Sequence, residues 1–131
     1  MELKDLSTDQ RKALAVFAVQ MMVADHSAAA AESQRIDWLE QELGVTGAIA
    51  AADYFIEPPL SLFPDRAARL LLLGELYVVA LADGRRHPNE NDVLKRLAAS
   101  FGFGAPVLAD LLAWAESPAA SRPPVETAVK G

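Results

Sequence analysis

The sequence predicts an all-α fold: a compact bundle of about six helices, built as duplicated three-helix units with pseudo-two-fold symmetry. Three observations predict it. Apolar residues make up 52% of the 131 and charged residues 23%, with mean hydropathy +0.14. Such a chain can bury a core and fits one domain. β-branched residues never form a strand-like alternating run, whereas the apolar spacing is helical. A shift of 58 residues then lays one half of the chain on the other in matching register.

The elements follow in order. Ser7, Thr8 or Asp9 can cap a first helix, and Ser7 with Gln10 has capping-box spacing. That helix runs through Leu14, Phe17, Ala18, Met21 and Met22 to about Ala24. A second spans about Ala30 to Leu43, with Ile36, Leu39 and Leu43 on one face and Gly44 where a left-handed cap is wanted. Thr46 can cap a third through Ile49, Ala52, Phe55 and Ile56. Pro58, Pro59 and Pro64 make 57–63 a linker. Pro64 and Asp65 suit the first turn of a fourth helix. That helix is apolar almost all round, from Leu70 to Leu81. Arg69 and Glu75 interrupt it, and it is shorter than the about 20 apolar residues a membrane span needs. It reads as a central core helix with no transmembrane role. Pro88 opens a fifth, carrying Val93, Leu94, Leu97 and Phe101 and ending at Gly102. The sixth runs from about Ala105 to Ala115. The domain is expected over 1–116, with 117–131 a loose tail rich in proline.

In the 58-residue register Ala24-Asp25 falls on Ala82-Asp83, Glu32 on Glu90, Ile36 on Leu94, Leu39 on Leu97 and Gly44 on Gly102. Each unit exposes an apolar face that the other covers, which sets the first and fourth helices against each other. The stretch Ala80-Leu-Ala-Asp83-Gly84-Arg-Arg-His-Pro88-Asn-Glu90, with Leu94, Leu97 and Phe101-Gly102, resembles the signature of TerB-like domains. These are small helical domains named for bacterial tellurite resistance, and related domains occur in membrane-anchored DnaJ-type co-chaperones. Val23-Ala24-Asp25-His26, with Glu32, Leu39 and Gly44, is similar to a degenerate copy. The resemblance covers about Thr8 to Ala115. It implies internal duplication, no established catalytic activity, acidic residues associated with divalent cations, and a role in stress responses or protein complexes.

Asp25 and Asp83 fall at helix C-termini, where the dipole disfavours a carboxylate by roughly 0.3–1 kcal/mol. One reading is local. Each Asp accepts hydrogen bonds from its own loop, and Glu32 and Glu90 close capping boxes in the next helix. The other reading is a cation site, in which Asp25, Glu32, Asp83 and Glu90 supply hard oxygen ligands suited to calcium or magnesium more than zinc. Between Asp83 and Glu90 only Asn89 and carbonyls are available, and between Asp25 and Glu32 only Ser27. A site shared by both loops therefore fits better than one confined to either. His26 stands where the other copy has Gly84, and a turn role suits it. His87 precedes Pro88, and Arg85-Arg86-His87 reads as a solvated loop able to dock an acidic partner.

The net charge of −6 and pI near 4.8 repel phosphate backbones, so nucleic acid is not an expected partner. Cysteine is absent, which excludes disulfides, thiolate zinc sites and cysteine nucleophiles. The first residues show no basic-then-apolar signal pattern, and a cytoplasmic location is expected. No nucleophile elbow or phosphate loop is present. Chemistry through paired carboxylates would need a concave pocket holding a carboxylate of raised pKa. Trp38 is expected partly buried, Trp114 on the core or in a docking patch, and Met21 and Met22 in the core. The expected function is a non-enzymatic, stress-response interaction module that binds a protein partner and a divalent cation. The alternative is a purely structural interaction domain, a homodimer without metal, motivated by the apolar content and the nearly all-apolar fourth helix.

Overall fold

Leu70, Leu71, Leu72, Leu73 and Leu76 are all within 1% of complete burial, and the helix that carries them is the axis of the molecule. The computed structural model describes residues 1–23, 37–82 and 88–129, with backbone alone at 22–23, 51, 82 and 88–91. Among these residues there are six α-helices and no strand. They are α1 (Thr8–Val23), α2 (37–43), α3 (Arg66–Ala82), α4 (Pro88–Ser100), α5 (Ala105–Glu116) and α6 (Val125–Ala128). Short 3-10 turns occupy Leu3–Asp5, Ala51–Phe55, Leu60–Leu62 and Ala119–Ser121. Helix α3 touches α1, α4, α5 and α6, which is why it is apolar all round. No helix among the described residues is long and apolar enough to cross a membrane.

The ends of the helices follow from local chemistry. The Ser7–Gln10 box forms as the spacing predicts: Gln10 N donates to Ser7 Oγ at 3.1 Å, and Ser7 N to Gln10 Oε1 at 3.0 Å. Helix α2 stops at Gly44, φ +68°, where Val45 N donates to Glu40 O at 2.9 Å and Gly44 N to Gln41 O at 3.1 Å. Helix α4 stops the same way at Gly102, φ +82°, with Phe103 N on Ala98 O at 2.8 Å and Gly102 N on Ala99 O at 3.0 Å. Both are left-handed glycine caps that satisfy the last carbonyls. Arg11 of α1 adds Nη1 to Leu43 O at 3.4 Å, placing a cation at the negative end of α2.

Three expectations differ from the structure. The segment from Thr46 to Ile56 is not an α-helix. Gly47 turns at φ +72°, and only the 3-10 turn Ala51–Phe55, capped by the extended Ala50, follows it. A left-handed residue interrupts α-helix, and the prolines at 58 and 59 leave too little chain to restart one. The 57–63 linker carries a core residue, since Phe63 is fully buried and its carbonyl accepts from Arg69 Nε at 2.6 Å. The tail is not loose through 129. Val125 and Val129, four residues apart, are 0% and 6% exposed, and Trp114 Nε1 donates to Pro123 O at 2.8 Å. An indole N–H turned inward needs an acceptor, and the returning chain supplies it. The N-terminal part of the second helix lies outside the described residues.

Candidate functional site

Helix α3 forms the floor of a groove of about 410 Å³, presenting Leu71, Glu75, Val78 and Val79. Trp38, Leu39 and Leu43 of α2 form one wall, with Glu42 beside them. Trp114 of α5 and the segment 122–124 form the other, and residues 1–3 close one side. This wall sits close to α3 because of Gly74. A Cβ there would lie 2.8 Å from Trp114 Cζ3 and 3.0 Å from Cε3, so only glycine lets the indole rest on the helix. Arg122 lies over the Trp114 ring, 5.2 Å from its centroid. Its Nε donates to Ser117 O at 3.0 Å and its Nη2 to Ala115 O at 2.8 Å, so it also caps the C-terminus of α5.

Glu75 is the one acidic residue within α3. Burial pushes its carboxyl above the usual carboxylate range, and the attraction of Arg122 opposes this without cancelling it. This is the raised-pKa carboxylate in a concave pocket that carboxylate chemistry would require. Glu42, exposed on the α2 wall, and Glu2 are the other carboxylates that line it.

A second feature lies at the end of Ala51–Phe55. Phe55 is 87% exposed and Ile56 63% exposed. The turn behind them is fastened. The Tyr54 hydroxyl donates to Glu40 Oε1 on α2, Gln20 Nε2 of α1 donates to Tyr54 O at 3.2 Å, and Ile56 N to Asp53 O at 3.2 Å. Burial, then the bond to Glu40, holds the Tyr54 phenol above its ordinary range, so it stays a donor. The two apolar side chains are thus held outward by a fixed frame.

Residues 60–111 match the family described as tellurite resistance protein TerB. This stretch is TerB sequence. The match runs from Leu60 through α3 and α4 into α5, and so includes Glu75, Glu90 and the Gly102 cap. Trp38, Phe55, Trp114 and Arg122 lie outside it. No curated protein and no solved structure matches the chain.

Of the four carboxylates expected to hold a cation, Asp25, Glu32 and Asp83 lie outside the described residues. So do His26, Arg85, Arg86 and His87. Glu90 stands by its backbone in the first turn of α4. Among the described residues no group of three or more His, Asp or Glu is placed to hold a metal ion. Trp38 is 53% exposed, while Trp114 is 7% exposed and Met21 fully buried. Sequence reasoning passed over Glu75, reading it only as a break in an apolar run. The available signal was its isolation: positions 71, 72, 78 and 79, one helical turn away, hold only Leu and Val.

Proposed function

We propose that this chain is a non-catalytic TerB-type module that works by binding a protein partner through the face bearing Phe55 and Ile56. The observation that carries the reading is their exposure on a turn tied to α1 and α2 by Gln20, Glu40 and Tyr54. A turn whose backbone is already fastened spares a partner part of the cost of ordering it, and exposed aromatic and apolar side chains are the kind that interface cores bury. A stress-response role fits the family's name. A divalent cation shared by Asp25, Glu32, Asp83 and Glu90 is the second part of the proposal. It is supported by the resemblance and by the matching caps at Gly44 and Gly102, which keep α2 and α4 in the 58-residue register. The same caps support internal duplication. The departure is the 3-10 turn Ala51–Phe55, whose counterpart 109–113 lies within α5.

The same exposed face supports a homodimer as the second reading. Sedimentation velocity over a concentration series separates the two. Self-association that Phe55→Ser abolishes identifies a dimer. A monomer at all concentrations leaves the partner reading and removes the dimer. Calorimetric titration with calcium, magnesium, manganese and zinc tests the cation. Heat of binding that Asp25→Asn and Asp83→Asn each remove supports it, and no heat at millimolar metal removes it.

A further inference from the structure

We propose that the groove beside Glu75 is a binding site for a small organic ammonium ion, its charge on the Glu75 carboxylate and the Trp38 face and its apolar body against Leu39, Leu43 and Val78. The walls give the first reason. They are mainly apolar, and the volume of about 410 Å³ falls within the range of roughly 300–1,000 Å³ usual for small-molecule sites. The charges give the second. Glu75, Glu42 and Glu2 line the groove against the Arg122 guanidinium and the terminal ammonium of Met1; that ammonium is paired with Glu126 at 2.5 Å, and Lys4 Nζ at 3.2 Å pairs with Glu2 at the edge. The remaining excess is negative and disfavours an anion. Arg122 attracts Glu75 without cancelling the effect of its burial, and two of its donors are spent on carbonyls of α5 while its guanidinium lies over Trp114. Glu75 therefore keeps acceptor capacity for an incoming donor.

The class of cation follows from the surroundings. Calcium or magnesium needs about six oxygens converging on one point, and among the described residues no three His, Asp or Glu side chains are placed to hold a metal ion. A neutral apolar ligand would bury a carboxylate without a counter-charge. An alkylammonium satisfies both, placing its cation on the carboxylate, its chain on Leu39, Leu43 and Val78, and its flank against an indole.

The chain's two tryptophans, Trp38 and Trp114, both line this groove, so tryptophan emission, excited selectively over tyrosine, reports on it. The full chain is titrated with n-hexylammonium, tetramethylammonium, n-hexanol, hexanoate and calcium chloride. Ammonium ions are expected to bind in preference to hexanol, with no response to hexanoate or calcium. Glu75→Gln is expected to weaken hexylammonium by at least about tenfold while leaving hexanol unchanged. Circular dichroism confirms the fold of the variant, and the ammonium-over-alcohol preference of the unaltered chain needs no variant at all. Hexanol binding as tightly as hexylammonium, an unchanged affinity in Glu75→Gln, or no ammonium response at millimolar concentration would each overturn the proposal.

Discussion

Gly74→Ala sets two opposed effects against each other. In a helix interior alanine is favoured over glycine by about 0.8–1.0 kcal/mol. Here the new Cβ would stand 2.8 Å from Trp114 Cζ3, 3.0 Å from Cε3 and 3.5 Å from Val125 Cγ2, whereas carbon atoms rest at about 3.5–4.0 Å. The indole would have to withdraw by more than about half an ångström. It is not free to do so, because Nε1 is bonded to Pro123 O at 2.8 Å and Arg122 covers a face. Overpacking of this kind costs about 1–3 kcal/mol. The difference is a net loss of about 1 kcal/mol, a fall in melting temperature of about 3–5 °C at this chain length. Thermal unfolding of Gly74→Ala alone and combined with Trp114→Leu measures it. In the Trp114→Leu background the clash is gone, and the same change should be neutral or stabilising. A rise in melting temperature for Gly74→Ala alone would refute the tight packing of α5 on α3.

Other outcomes follow from the same geometry. The Glu75 carboxyl titrates higher in the folded chain than its ordinary 4.5, so the folded state holds the proton longer and stability falls as pH rises through the raised value. The charged groups around it are Arg122, Glu42, Glu2 and the terminal amine of Met1. Glu75→Gln should therefore raise the melting temperature at neutral pH, with the gain vanishing towards pH 4.5; a gain that grows on acidification would contradict this. Ser7→Ala removes the cap of α1 and should cost about 1 kcal/mol in urea unfolding. Gly102→Ala meets no atom within 4 Å, so its cost is the left-handed backbone alone, about 1 kcal/mol. Gly102→Asn should recover part of it, since asparagine tolerates that conformation.

Much of this architecture was legible in the sequence, for identifiable reasons. The Ser7–Gln10 box and the glycines at 44 and 102 announce helix ends because few residues supply that chemistry. The all-round apolar run of α3 announces a core axis. What was not legible depends on contacts between distant parts of the chain. Nothing near Ser117 shows that Trp114 will need the Pro123 carbonyl, that Val125 will find a place against α3, or that Val129 will join the core. Periodicity assigned Phe55 and Ile56 to a helix face, and the left-handed Gly47 overrides that pattern. Glu75 becomes significant only once Trp38, Trp114 and Arg122 surround it, and these come from three separate segments. The carboxylates singled out by the repeat rest on sequence register and the TerB resemblance.

The most direct test of binding through the Phe55 face is site-specific photo-crosslinking in cells from position 55, with exposed Lys95 as the control position. The expected result is one covalent adduct of discrete mass from position 55, twice 14.1 kDa if the partner is a second copy, and absent in the Ile56→Ser background. The same diffuse products from positions 55 and 95 would contradict it.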